Sequence, residues 1–290
     1  MIWWMGMIQL SAATLLLQWA AGGLLFCWVT TRHREVGLGY GWLLRATFLL
    51  MAAGAFAAGV ASGTHVVRDG ASLLVVLATA SASATSIVRR RAGVAGQRAH
   101  EERRSARVTA MTGIERQAVS YDPSAAEFAP VLDLVAPAVA VVGLVAAAAA
   151  DGGPVALAIA RTLIGAVFLG SVTDAMLLGH WYLVQPGLGR ARLNELVRWV
   201  AIVWPFEVAV MLWPTGMVQV IDGTVKDGYG GVLGWFWLAC AAATIILCGV
   251  TRAALKERAY SAVMAATGLL YLAILTAFGT DVVARAVLAR

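Results

Sequence analysis

Long apolar runs broken by short arginine-bearing polar segments set the pattern of this chain. Eight stretches reach the ~20 residues that cross ~30 Å of hydrocarbon as a helix. They lie near 7–30, 43–63, 71–88, 130–150, 154–184, 197–221, 231–250 and 260–280. The pattern predicts an all-α, polytopic membrane helix bundle of about eight transmembrane helices. The third stretch is the shortest. The fifth, at 31 residues, exceeds the bilayer and has to tilt, kink or project. One connection, 89–129, is long. Within it Gln97 to Ser120 reads as a polar helix beside an anionic leaflet, and Tyr121-Asp122-Pro123-Ser124 as a turn. Pro130 suits the first turn of the fourth span.

Composition agrees with the pattern. The 290 residues are 60% hydrophobic and 13% charged, against roughly 25% charged for soluble domains. Soluble and disordered classes are thereby excluded, and residues 1–290 read as a single transmembrane domain. The charges then orient it. Arg32, Arg34 and Arg45, the eight arginines 89, 90, 91, 98, 103, 104, 107 and 116, then Arg190, Arg192 and Arg198, and Arg252, Lys256 and Arg258 share one set of connections. That is 17 of the 22 basic residues. Arg68, Arg161, Lys226, Arg285 and Arg290 fall on the other side. By the positive-inside rule the first set is cytoplasmic and both termini face outside. The net charge of +6 is therefore a topology signal, and no nucleic-acid partner is expected. The N-terminus lacks the positive n-region of a signal peptide, and Trp3 and Trp4 read as interface anchors. The Ala/Arg/Val-rich, Lys-poor usage points to a high-GC bacterium and its cytoplasmic membrane. The lipid bilayer is the expected partner, with other membrane subunits as further candidates.

Small residues mark packing faces. Ala55, Gly59 and Gly63 recur at four-residue spacing, and residues 78–86 are all Ala, Ser or Thr. Such stripes let membrane helices approach closely; a path for a small molecule along the Ser/Thr face is the alternative. Cys27, Cys240 and Cys248 sit in apolar runs without metal-ligand spacing and read as small core residues. No internal repeat is evident.

Ionisable residues inside a bilayer are costly, which makes each a site candidate. Four qualify: Asp133, Asp174, His180 and Glu207, with Gln18 as a neutral member. Asp174 shares a helix ridge with Ala166 and Gly170. His180, flanked by Trp181 and Tyr182, reads either as an interfacial residue or as a haem b or quinone ligand. Asp174 and His180 are expected to line one inner-side cavity, although their six-residue separation turns them about 120° apart. Glu207 follows Pro205, whose missing N–H leaves the Ala201 carbonyl bare and kinks the helix. A carboxylate beside a broken helix resembles transporter ion sites. Asp133, three residues after Pro130, complements a helix dipole.

Other chemistry is missing. Two haems would need four ligating histidines in paired positions, and His33, His65, His100 and His180 are not so placed. No span carries a lysine, and the hydrolase, zinc-protease and nucleotide-binding motifs are absent. The string Leu178-Gly179-His180-Trp181-Tyr182-Leu183-Val184 resembles one found in polytopic bacterial inner-membrane proteins, a resemblance that implies no known activity. Three roles stay open. The first is a membrane subunit of a respiratory or redox assembly, handling quinone, haem or protons at Asp174 and His180. The others are a secondary transporter using Glu207, and a non-catalytic scaffold or assembly factor.

Overall fold

The computed structural model describes residues 11–112, 121–122, 124–150, 153–185, 187–214 and 216–288, with only the backbone of His100, Arg104, Arg107 and Val108. Every regular element among them is helical. In chain order they are α1 (Ala12–Thr31), α2 (Leu38–Ser62), α3 (Val66–Val88), α4 (Ala95–Thr112), α5 (Val135–Ala150), α6 (Val155–Trp181), α7 (Ala191–Leu212), α8 (Met217–Ile221), α9 (Val232–Ala254) and α10 (Tyr260–Leu288). Short 3-10 turns follow α3 and precede α5. Seven helices are long and apolar enough to cross a membrane: α1, α2, α3, α5 with its 3-10 lead-in, α6, α9 and α10. The exception among the long helices is α7, which carries Arg192, Glu195, Arg198 and Glu207 in 22 residues.

The outside of this bundle is apolar and much of its inside is not. Leu50, Leu275 and Ile246 are 70%, 68% and 62% exposed, whereas Arg45, Asp133, Asp174, Glu207 and Asp281 are buried. That inversion suits lipid as the surrounding solvent. Helix α1 lies at the centre, against α2, α5 and α6, while α6 also meets α7 and α10. A methyl added at Gly170 would sit 2.5 Å from the Gly22 Cα, so α1 and α6 touch backbone to backbone. On α3 the hydroxyls of Ser81, Ser83 and Thr85 donate to the carbonyls four residues earlier. They are satisfied within their own helix and line no path.

The helix ends differ from the sequence reading in one consistent way. Helices α2 and α3 each begin five residues early, at Leu38 and Val66, and α10 runs on to Leu288. The extensions take in Arg68, Asp69, Asp281 and Arg285, and Arg45, counted with a connection, lies well inside α2. Hydropathy assigns such charges to loops; here each is paired inside the bundle. Helix α6 ends at Trp181, so it is 27 residues rather than 31. The segment 197–221 divides into α7 and α8 around Trp213-Pro214, but α7 runs through Pro205 without interruption. The expected break at Pro205 is thus only a missing donor within a continuous helix. Of the expected 97–120 helix, Gln97–Thr112 belongs to α4 and the rest lies outside the described residues. So do Trp3, Trp4, Arg116, Pro123, Pro186 and Arg290.

Ion pairs tie the arginine-rich end, hereafter the basic end. Arg32 after α1 bonds Glu195 on α7 at 2.6 Å, and Arg98 on α4 bonds Glu127 at 2.6 Å. Arg190 caps α9 by donating to the carbonyls of Leu255, Glu257, Arg258 and Ala259, groups a helix C-terminus leaves orphaned. The turn at Asp122 forms as expected. Its carboxylate accepts from Ser124 Oγ at 2.6 Å and Ser124 N–H at 2.9 Å, which hold it below the usual carboxylate range. At the far end, Asp227 accepts from the N–H groups of Tyr229, Gly231 and Leu233. It thereby closes a glycine-rich loop with positive φ at Gly228, Gly230 and Gly231 and caps α9.

Candidate functional site

Near the far end, four helices bring polar side chains into the core. Gln18 comes from α1, Arg161 from α6, Glu207 from α7, and Asp281 and Arg285 from α10. Arg285 Nε donates to Asp281 Oδ1 at 2.9 Å, one helical turn away, and its other end reaches the Arg161 carbonyl. Gln18 Nε2 reaches both Asp281 oxygens at 3.3 Å. Arg161 Nε donates to the Val210 carbonyl at 2.8 Å, fastening the start of α6 to the end of α7. Gly165 leaves room for the cluster. A methyl there would lie 2.5 Å from Arg285 Nη2, 2.6 Å from Gln18 Nε2, and nearer still to an Asp281 oxygen.

Glu207 is wholly buried, and neither of its oxygens meets a donor among the described residues. Its nearest polar neighbour is the Asp281 carboxyl, another acceptor, and the guanidinium groups of Arg285 and Arg161 lie within electrostatic reach. The remaining oxygen of Gln18, Oε1, is likewise without a donor. Three acceptor groups therefore face one another with Arg285 committed to one of them. Protonating a carboxyl converts one acceptor to an O–H donor, the cheapest way to complete the set. Sixteen residues separate Glu207 from the start of α7 and five from its end. It therefore stands about 24 Å from the start of α7 at the basic end.

Nearer the basic end two further acids are buried, and they differ sharply. Asp133 accepts a two-pronged bond from Arg45, Nε to Oδ1 at 2.7 Å and Nη2 to Oδ2 at 2.8 Å. Thr31 Oγ1 adds a bond at 3.3 Å, and the Phe128 ring lies 4.4 Å from the guanidinium. Asp133 stands in the first turn after Pro130, as expected, and is also half of a buried ion pair. Asp174, on α6, has no such partner: it is wholly buried and neither oxygen meets a donor among the described residues. Tyr40 Oη reaches only its backbone carbonyl, at 3.4 Å.

His180 stands apart from all of these. It is exposed, on the side of α6 that faces α10, where its ring meets Tyr271 edge-on with centroids 6.5 Å apart. Asp174 instead faces α1 and α2, so the two do not line one cavity; the 120° difference in facing is realised in full. Of the other described histidines, His33 contacts Glu195 and His65 caps α3, so neither shares His180's surroundings. Among the described residues no three His, Cys, Asp or Glu side chains converge as metal ligands.

Sequence reasoning missed Asp281, Arg285, Arg161 and Arg45. The available signal was the four-residue Asp281–Arg285 spacing, which pairs on one helix face; ending the last span at 280 hid it. The chain matches no protein-family model, no curated protein and no solved structure.

Proposed function

We propose that the protein is a proton-coupled transporter of the bacterial cytoplasmic membrane, with the Glu207–Asp281 carboxyl pair as its proton-binding site. In this reading α7 is an eighth span, both termini lie outside, and residues 89–129 face the cytoplasm. The 17-to-5 division of basic residues supports that orientation. The antiparallel tie of α6 to α7 through Arg161 and Val210 supports the eighth span.

One observation carries the functional reading: a wholly buried Glu207 without a donor, set against a second buried carboxyl that an arginine already holds. Buried ion pairs that serve structure are closed sets of donors and acceptors. This set is one proton short. Adding a proton at Glu207 closes it, and withdrawing the proton leaves a second carboxylate beside Asp281 to be held by Arg285 and Arg161, which couples occupancy to the packing of α6, α7 and α10. The Arg285 side chain, 12% exposed, marks the approach from the far, external side. The redox alternative has less to stand on, since Asp174 and His180 face different helices.

A pH jump on the external side of right-side-out proteoliposomes, read by solid-supported membrane electrophysiology, tests this without knowledge of the transported solute. Wild type is expected to give a transient charge movement that Glu207→Gln and Asp281→Asn abolish and Glu207→Asp partly keeps. A wild-type trace equal to that of protein-free liposomes, or one that Glu207→Gln retains, overturns it.

A further inference from the structure

We infer that Asp174 is a second proton-binding carboxyl, serving the cytoplasmic half of the protein, and that the Arg45–Asp133 pair is the gate between it and the cytoplasm. The inference rests on the transporter reading for its purpose, but on separate residues for its evidence.

Asp174 sits seven residues before the end of α6, about 10 Å above the basic end. An ionised carboxylate without a donor in such a setting is among the costliest groups a membrane core can hold. A purely structural aspartate has no reason to be there, because leucine or asparagine would cost less. In the protonated form the difficulty eases: the O–H donates to a carbonyl one turn back, as Ser171 and Thr173 of the same helix already do to Phe168 and Leu169. The ionisable groups around it are few. Cys27 of α1 lies within electrostatic reach of Asp174 and also of Arg45 and Asp133. Tyr40 of α2 touches the Asp174 backbone, and Tyr182 at the end of α6 is near Tyr40. Helices α5, α7 and α10 contribute no buried charged residue in their basic-end halves among the described residues.

Below Asp174 the route is closed. Arg45 bridges α2 to Asp133 and is covered by Phe128. Beneath it lies a cavity of about 30 Å³ lined by Thr31, Arg34, Gly41, Glu127 and Phe128, room for about one water. A larger space of about 300 Å³ between α2, α4 and Trp181 adjoins it through Gly37, Leu38 and Gly93, which line both. Water at the basic end thus comes up to the guanidinium, and Cys27, within electrostatic reach of Arg45, Asp133 and Asp174 alike, spans the step from the pair to Asp174. Above Asp174 the route is closed differently. The Gly22–Gly170 backbone contact, Phe48, Phe168 and Leu169 form a dry layer before Gln18 and the Glu207–Asp281 pair. Two proton sites separated by a dry layer, one behind an ion-pair gate, give each half of the protein its own proton access. The gate opens when Arg45 leaves Asp133; the proton then passes from cytoplasmic water to an Asp174 oxygen, with no other bond made or broken.

Infrared difference spectroscopy on the full-length protein in proteoliposomes tests this. Between acidic and alkaline buffer, wild type is expected to show a carboxylic-acid carbonyl band that Asp174→Asn removes, Asp174→Glu displaces and Glu207→Gln leaves in place. Exchange of that acid's proton for solvent deuterium is expected to speed up on the order of tenfold or more in Arg45→Gln, and in the closer-fitting Asp133→Asn, because the closed gate protects it. A spectrum without a band sensitive to Asp174→Asn and Asp174→Glu overturns the proton site. Unchanged exchange in both gate variants overturns the gate. Either result leaves the external charge movement assigned to Glu207 standing or falling on its own.

Discussion

Removing one member of the Arg45–Asp133 pair should harm the protein far more than removing both. The two side chains are 2% and 1% exposed and joined by two bonds of 2.7 and 2.8 Å. Asp133→Leu leaves a guanidinium with its donors unmatched inside the bundle, and Arg45→Met leaves a bare carboxylate. Each single variant should lose about 3–5 kcal/mol, the usual cost of breaking a buried pair. The double variant Arg45→Met/Asp133→Leu replaces both charges with apolar groups of similar volume. Its cost should fall to about 1–2 kcal/mol, mainly the lost contact with Phe128, or vanish. The coupling energy from the cycle is then at least about 3 kcal/mol. Arg34–Glu127, with Arg34 49% exposed, is the internal control and should couple by no more than about 1 kcal/mol. Unfolding in mixed detergent micelles measures all of these. Single variants within experimental error of wild type, or a double variant as damaged as the sum of the singles, would refute the reasoning.

Gly165→Ala should cost a net of up to about 2 kcal/mol, because overpacking three polar side-chain ends (roughly 1–3) is offset only in part by the helix-propensity gain of about 1, and external charge movement should fall with it; Gly268→Ala, with nothing within 4 Å, should leave charge movement unchanged. At the glycine-rich loop of the far end, the N–H groups of Gly231, Tyr229 and Leu233 hold the Asp227 carboxyl below its usual range. Its contribution is therefore complete above the unfolded value, about 4, and lost as pH falls through the lower folded value; amide exchange at residues 229–233 should accelerate in that acid window in wild type and show no such step in Asp227→Asn.

The helical class and nearly all the crossing segments were legible because lipid forces an apolar exterior whatever the interior does. Inward-facing detail was legible only where a single residue broke the rule. Glu207 and Asp174 stood out as acids within otherwise apolar runs, and both are buried. Arg45, Arg68, Asp281 and Arg285 did not stand out, since each lies within two turns of a helix end, where hydropathy cannot separate a buried ion pair from the start of a loop. His180 shows the opposite failure. Its aromatic neighbours gave it the look of a ligand site, yet helical phase had already turned it away from Asp174, and phase proved the better guide. Asp133 was seen, but its role was not: the partner Arg45 is 88 residues away, beyond any local pattern.

Helix α7 shows how a functional segment comes to look least like a span. Its apolarity is lowered by four charges. Three of them, Arg192, Glu195 and Arg198, lie in its first eight residues at the basic end, and Arg192 and Glu195 are engaged there with Glu35, Arg32 and each other. Charges so placed stand at headgroup depth and do not oppose crossing. Only Glu207 remains to be accommodated within the hydrocarbon, and it turns inward. Phe206 and Ile202, its neighbours on the outer face, are 59% and 46% exposed and present an ordinary apolar surface to lipid. Remove Glu207 and the rest of α7 beyond Arg198 is a conventional apolar helix. The feature that disqualifies it by composition is the same carboxyl proposed as the proton site, so Glu207→Leu should insert at least as readily as wild type while losing external charge movement.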